Sequence, residues 1–558
     1  MTGLHEATAA RLQAGAARFA TLDGTARAAL ARRTALTVAA AADRWVAAAV
    51  GIKSGGGMAG PEVGAEETAT GPIATLRLLL ITARCLAESA AGGTPRPAAP
   101  PRILHRGGGT AELVAVEVVP EPWLADRAMF AGHTATVRCA VPGGIDAFRR
   151  VWRQECLERP RQGGVCAILG AGNVTGLAIA DAVSQIFEHG RAAVVKLHPL
   201  HEPLLPVYRD ALAPLVEAGM VALLAGGHEV AAAAIASPVV GHVHFTGGQA
   251  TFDAIVWGPA GPRPSGQPVL AKPITCELGG VTPWIVVPGR YTAAQLRRQA
   301  DLVAASILNN TSFNCIATKC VVTCRTWDQR SAFLDLVSKR LATAAPRRAW
   351  YPGAAAAWEQ VTGSRPPADG TLPAVFRSSV DPSREPHWLA REWFTPVAVE
   401  VPLDADDIEA FCSHTAALTR DLPGNLACSV TVPAVLPPHE GQRVDLLVDH
   451  LEYGAVAVNT WAALAYAFAS VPWGGFPGGT LAEPGSGIGF VHDPFCLPLV
   501  HNSILRGPLS AGPTPPWLPW HRHGAALARG AVDVYASIAR GGGGLWPLVR
   551  MLPKVLVG

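Results

Sequence analysis

Charge is scarce in this chain. Asp, Glu, Lys and Arg make up only 16% of its 558 residues, against 49% hydrophobic, and the formal net charge is +3. Lys and Arg are spread along the whole length, so no basic stripe marks a nucleic-acid partner. So low a charged fraction beside so much apolar sequence also excludes a disordered chain. The eleven cysteines are odd in number and irregularly spaced, which gives no disulfide framework. Met1 to Arg33 scatters charges through an Ala-rich helical pattern and lacks the apolar core of roughly 7–15 residues that a secretory leader needs. A reduced, cytoplasmic setting is therefore expected. Long hydrophobic runs are missing too. Tyr453 to Ala482 is uncharged and has the length of a membrane span, but Pro472, Pro477, Gly474, Gly475, Gly478 and Gly479 break any continuous helix there. No internal repeat is present. The remaining class is a globular chain long enough for two or more domains with a large core.

Helical spacing of apolar residues predicts helices over Leu4–Phe19, Ala26–Val50 and Ala74–Ala91. Gly51 to Gly71, with the acidic cluster Glu62, Glu66 and Glu67, is expected as a break, and Gly92 to Pro101 as a linker. Strands are expected over Ala111–Val119 and Ala135–Val141. Val165–Leu169, a Gly-rich turn, the helix Leu177–Phe187 and the strand Ala192–Leu197 form a βαβ unit. A helix over His201–Ala218, the strand Val221–Leu224, the helix Glu229–Ser237 and the strand Val243–Phe245 extend it into an open α/β sheet. Further strands, Trp284–Val287, Cys320–Cys324, Val397–Val401 and Gly454–Val458, follow with helices at Thr292–Leu308 and Ser331–Ala344. Pro346–Pro386 is expected as surface loops. Beyond Gly507 the chain becomes Pro-rich and then apolar, with Trp517, Trp520, Trp546 and scattered arginines. That segment suits packing over the domain or another subunit, or contact with a membrane surface.

Three side chains have the types that acyl transfer needs, each at a loop next to a strand or helix. Cys315 sits in a polar loop before an apolar strand, exposed enough to react, whereas Cys320 and Cys324 sit inside that strand. A thiolate needs a base or a positive field. Glu277, between small and apolar residues in Glu277-Leu278-Gly279-Gly280, could be that base. Asn173 presents an amide at the carboxyl end of a strand. The alternative for Cys315 is one more small buried hydrophobe. A metal site of Cys315, Cys320 and Cys324 has no common zinc spacing, and His242 and His244 have no partner cluster, so no metal is expected. The turn Gly170-Ala171-Gly172-Asn173-Val174-Thr175-Gly176 spaces its glycines 1, 3 and 7 rather than the 1, 3 and 6 of a dinucleotide fingerprint, and the next strand ends in Lys196 rather than an acid.

Taken in order, these motifs resemble the aldehyde dehydrogenase superfamily over about Gly163 to His492. The order is Gly172-Asn173-Val174, Lys196 at a strand end, Phe245-Thr246-Gly247, Glu277-Leu278-Gly279-Gly280, Cys315, Glu392-Trp393-Phe394-Thr395-Pro396, Val458-Asn459 and Ser486-Gly487. The resemblance implies an α/β fold with a Rossmann-like cofactor domain, an α/β catalytic domain carrying the cysteine, and a small β arm for oligomerisation. The corresponding segments would be a helical region at 1–110 and a dinucleotide-binding domain at 111–275, with oligomerisation strands near 135–141. A catalytic domain at 276–470, a return segment and oligomerisation strand at 471–506, and an extension at 507–558 would follow. It further implies oxidation of an aldehyde to a carboxylic acid with NAD or NADP. Cys315 would attack the aldehyde, Asn173 and the Cys315 N–H would hold the oxyanion, and Glu277 would activate water to release the acid. Lys196 and Glu392 would bind ribose hydroxyls. Phe394 would lie against the nicotinamide, and Thr246, Gly247 and Gly248 would border nicotinamide and pyrophosphate. The implied partners are a small aldehyde, hydrophobic to judge from Trp461 and Trp473, and further copies of the chain as a dimer or tetramer.

The chain departs from the family's pattern at several points. Ala171-Gly172 stands where Pro-Trp is usual before the Asn, Gly248 replaces a Ser, Phe252 stands at an expected Gly, and Leu197 follows Lys196. The Gly-Asn-Val loop is also similar to CoA-dependent acylating relatives and acyl-CoA reductases, although Glu277 favours hydrolysis. A catalytically silent scaffold of the same fold is a further alternative, since fold does not prove activity.

Overall fold

A computed structural model describes residues 4–105, 112–259, 261, 266–510 and 514–556. Two sheets carry the chain. A six-stranded sheet runs in the order Gly487–Ile488, Ile274–Leu278, His242–Gly247, Val165–Leu169, Ala192–Lys196, Val221–Leu224. It is parallel except for Gly487–Ile488, which pairs antiparallel with Ile274–Leu278. Every residue of Val165–Leu169 and Ala192–Lys196 is buried, as expected of central strands covered by helices on both faces. A ten-stranded sheet runs Ala99–His105, Glu112–Val119, Thr134–Cys139, Val500–Arg506, Ala455–Val458, Ala427–Thr431, Thr282–Val286, Thr318–Cys324, Val397–Leu403, Val375–Arg377. The first four strands pair antiparallel and the rest parallel. The mixed α/β architecture with large parallel sheets is the fold class expected above.

Several local expectations change. The break at 51–71 is largely helix, Pro61–Thr68 and a wide turn Ala69–Ile73, because Pro61 starts a first turn and the glutamates turn inward. The stretch 92–101 ends in the strand Ala99–His105, placed by pairing with Glu112–Val119 despite its prolines, so the 1–110 region is not wholly helical. Ala111, the first residue of the second expected strand, lies outside the described residues, as does Pro513. Pro203, Pro206 and Pro214 break the single helix expected over 201–218 into a 3-10 turn and two short helices. Ala354–Thr362 is a helix where surface loops were expected, and Gln249–Trp257 is a helix in a stretch with no expected element. Ile274–Leu278 belongs to the six-stranded sheet, so the crossover between sheets falls at Gly279-Gly280 and not before residue 276.

The N-terminal helix Glu6–Thr21 packs on the six-stranded sheet. Gly24–Ser54 is long and apolar enough by length and composition to cross a bilayer. Here it packs against Ala74–Ala90, Leu205–Ala211 and Gly524–Ala539. Beyond Gly507, Trp517 packs on Trp461 with ring centroids 5.3 Å apart, and the Arg340 guanidinium lies 4.3 Å from the Trp520 ring. Arg77, in a buried ion pair with Asp126 at 2.7 Å, also donates to the Tyr535 hydroxyl at 2.7 Å. The final helix, Leu545–Leu556, turns Leu545, Trp546, Val549 and Leu552 outward.

Candidate active site

Cys315 lies between the helix Ala293–Leu308 and the strand Thr318–Cys324. Thr292 and Gln295 form a capping box that fixes the helix start. Of the eleven cysteines, Cys315 alone keeps partial contact with solvent; the other ten are buried. The loop is firmly tied. Thr282 Oγ1 donates to the Cys315 carbonyl at 3.2 Å, Trp461 Nε1 to the Ile316 carbonyl at 3.0 Å, and Asn314 Nδ2 to Asn309 Oδ1 at 3.0 Å. Enough protein surrounds the sulfur that burial pushes its pKa well up, and the carboxylates of Glu277 and Glu392 push it further.

Glu277 lies against the Cys315 thiol and is raised to about 7, chiefly by burial. A carboxyl that is half ionised near neutrality and touches a thiol has the chemistry of a general base. Behind it stands a buried cluster absent from the motif reading. Asp181 lies 3.5 Å from His244 and 3.4 Å from His492, and Thr246 Oγ1 donates to it at 3.1 Å. Burial raises the Asp181 pKa, but the two imidazoles outweigh that and hold it below the carboxylate range. Thr246 thus spends its hydroxyl inside this cluster. The crevice bounded by His244, Thr275, Glu277, Trp473 and Val491 is too tight for a water molecule.

Asn173 is buried and donates from Nδ2 to the Phe313 carbonyl at 3.2 Å, so the structure brings it to the cysteine loop. The glycines around it are explained by close packing. A β-carbon on Gly172 would stand 2.3 Å from His198 Nδ1, and one on Gly176 would stand 2.2 Å from the Thr70 carbonyl oxygen. The unusual 1, 3, 7 spacing therefore fits a loop pressed between neighbours.

Between this loop and Cys315 the backbone does something the sequence concealed. Asn310, Thr311 and Ser312 take φ of 53°, 56° and 63° in succession. Each such non-glycine residue costs on the order of 1–2 kcal/mol, so the surroundings must impose the turn. Asn310 is the clasp. Its Nδ2 donates to the carbonyls of Asn173 and Phe313, both at 2.8 Å, and its N–H donates to Glu66 Oε2 at 3.2 Å. Lys53 donates to Asn310 Oδ1 and pairs with Glu67. Glu67 also accepts from Thr175 at 2.9 Å, and Arg347 holds Glu66 at 2.8 Å. Lys319 holds the other end, donating to Ser312 Oγ at 2.7 Å and the Thr395 carbonyl at 2.8 Å. A lysine inside the apolar run after Cys315 was the one sequence signal of this support.

The expected cofactor residues divide into two groups. Lys196 ends its strand buried, with its pKa lowered by desolvation, near Glu202 and Glu229. Glu392 packs over Gly279, beside Lys319 and Glu277; burial raises its pKa, and its Oε1 is buried without a partner. No ion pair joins Lys196 to Glu392 among the described residues. Phe394 stacks on Phe313 at 5.9 Å and meets Tyr351 at 4.9 Å. Gly247 underlies the Phe245 ring, and Gly248 opens the helix Gln249–Trp257 at the carboxyl end of its strand, with open space where a side chain would be.

The fold has counterparts among known proteins. Residues 147–348 match the aldehyde dehydrogenase family. No curated protein matches the chain by sequence. Among solved structures, the NAD-dependent aldehyde dehydrogenase from Sinorhizobium meliloti is similar with a TM-score of 0.57 and 15% identity, covering 89% of this chain and 85% of that one. An NADP-dependent enzyme from E. coli is similar with a TM-score of 0.57 and 14% identity, covering 89% of each chain. An aldehyde dehydrogenase C variant from Pseudomonas syringae, with NAD+ and octanal, is similar with a TM-score of 0.57 and 15% identity, covering 89% and 87%. The match over residues 147–348 and the shared fold make the chain similar to aldehyde dehydrogenases.

Proposed function

We propose that this chain oxidises an aldehyde to its acid, with Cys315 as nucleophile, Glu277 as general base and Asn173 as oxyanion donor. The observation that carries the reading is the thiol of the one partly exposed cysteine in contact with a carboxyl raised to about 7. Glu277 takes the thiol proton, and the sulfur bonds to the aldehyde carbon. Asn173 Nδ2 and the Cys315 N–H stabilise the resulting oxyanion, a contribution of about 3–4 kcal/mol per donor at most. Loss of two electrons and a proton from that carbon leaves a thioester on Cys315. Glu277 gives up the first proton to solvent, then takes a proton from water as the water oxygen bonds to the acyl carbon, and the thiolate leaves.

The residues present fit a nicotinamide dinucleotide. Gly248 leaves a helix N-terminus open to a pyrophosphate, and Lys196 and the unpartnered Glu392 Oε1 offer ribose contacts, with Phe394 at the ring. When bound, the nicotinamide supplies the two-electron acceptor. NAD and NADP both suit this donor set, and the similar structures include enzymes named for each. We assign the fold's two sheets to cofactor binding and catalysis, the antiparallel strands near 135–141 to a homo-oligomer interface, and the protein to the cytoplasm. A hydrophobic aldehyde is favoured by Trp461 and Trp473, both buried close to the cysteine loop and Glu277. The outward face of Leu545–Leu556 is the remaining surface for a partner subunit or a membrane.

The test is aldehyde-dependent cofactor reduction by the wild type and Cys315→Ala. Loss in the variant is expected; undiminished turnover would remove Cys315 as the nucleophile, and no turnover in the wild type would leave only a silent scaffold. A second reading, CoA rather than water as acyl acceptor, is favoured by the closed crevice beside Glu277. Acid as the product without CoA supports hydrolysis, and acyl-CoA formed only with CoA supports the alternative.

A further inference from the structure

We infer that the N-terminal helices are a working part of the catalytic site, with Lys53, Glu66, Glu67 and Asn310 as positioning residues that set Cys315 against Glu277. This rests on the reading that Cys315 and Glu277 form a nucleophile–base pair. The family match begins at residue 147, so Lys53, Glu66 and Glu67 lie outside it.

The argument is one of over-determination. A run of three left-handed, non-glycine residues immediately before a nucleophile holds only if its polar groups are engaged from outside. Lys319 engages Ser312, and Asn310 supplies the rest. One side-chain nitrogen bridges the Asn173 carbonyl of the oxyanion loop and the Phe313 carbonyl of the cysteine loop. Its backbone N–H and side-chain oxygen are both taken by the N-terminal helices, through Glu66 and Lys53. Lys53 is held in turn by Glu67, which also receives Thr175 from the oxyanion loop; Thr175 in turn accepts from Trp45 at 2.9 Å. Lys53 further lies 4.8 Å from the Trp350 ring. All of these polar groups are buried, so water cannot substitute for a lost partner. The network therefore joins the two loops that carry Asn173 and Cys315 and fixes them to a common post. If Lys53 is lost, the turn relaxes and the sulfur drifts from the carboxyl of Glu277, while the cofactor residues on the six-stranded sheet stay in place.

Alkylation of Cys315 by iodoacetamide, followed peptide by peptide with mass spectrometry, tests this without any aldehyde turnover. The ten buried cysteines serve as an internal gauge of unfolding. In the wild-type background, Glu277→Gln should speed Cys315 alkylation at pH 8 about tenfold, because the neighbouring carboxylate that disfavours the thiolate is lost. In a Lys53→Met background the same change should matter less than about twofold, because the contact is already broken. Lys53→Arg should restore the coupling, and the other ten cysteines should stay protected throughout. An undiminished Glu277→Gln effect in Lys53→Met would overturn the inference. So would labelling of all cysteines together, which would make the network a support of the fold alone. Absence of aldehyde turnover in a wild type that shows the coupling would sink the proposed function and leave this inference standing.

Discussion

Two loops meet at the site, and they are held by opposite means. The loop 170–176, which carries Asn173, is shaped by contact: neighbours press so closely on Gly172 and Gly176 that no side chain fits. The loop 309–315, which carries Cys315, has no glycine at all and adopts a left-handed run that polar side chains impose from the N-terminal helices and from Lys319. The first kind of constraint is local and tolerates no bulk. The second is distributed over the chain and tolerates bulk, but fails when one buried partner is removed. The lesson is that a nucleophile can be placed by a strained backbone when a buried ion pair pins that backbone down.

The sharpest way to break the comparison is at the nucleophile. Cys315→Ala should cut aldehyde-dependent cofactor reduction by about a thousandfold or more, read by absorbance of the reduced cofactor. Asn173→Ala should lower kcat by about a hundredfold with the Cys315 alkylation rate little changed, since it removes an oxyanion donor and not the thiol's base. Gly176→Ala attacks the contact-shaped loop directly. Its β-carbon would fall 2.2 Å from the Thr70 carbonyl oxygen, and thermal unfolding should show a loss of about 1–3 kcal/mol. Thr311→Gly probes the other loop in the opposite sense. Glycine relieves the left-handed strain, so stability should hold or rise by up to about 1 kcal/mol in the same melts.

The pH dependence sharpens the pairing of acid and thiol. Burial lifts Glu277 from its ordinary 4.5 to about 7. As pH rises through about 7 the carboxyl ionises and becomes able to take the thiol proton, so kcat/KM should climb across that range and Glu277→Gln should remove that limb. The stability term has the opposite sign. A carboxyl whose folded pKa exceeds its unfolded value binds its proton more tightly when folded. Its contribution is thus full at pH below 4.5 and is lost as pH rises through about 7.

Much of the fold was legible because it is carried by periodicity. The strand Val165–Leu169 and the helix Leu177–Phe187 stand where an apolar run, a Gly-rich turn and helical spacing put them. Glu277 and Cys315 were legible as residue types, although Glu277, expected at a loop, lies inside the strand Ile274–Leu278. What was not legible depends on long-range pairing. The strand Ala99–His105 contains two prolines and forms only because Glu112–Val119 pairs with it. Glu66 and Glu67 fell in an expected break, yet they are buried because Arg347 and Lys53 reach them from other elements. His244 and His492 lie 248 positions apart in numbering, and only the sheet places Asp181 between them.

The most direct measurement is acid-quenched mass spectrometry of the protein caught during turnover of a medium-chain aldehyde with NAD or NADP. The account predicts an acyl group on the peptide bearing Cys315, more abundant in Glu277→Gln, where hydrolysis is slowed. Turnover with no acyl mass on that peptide, or the same mass on another residue, would contradict it.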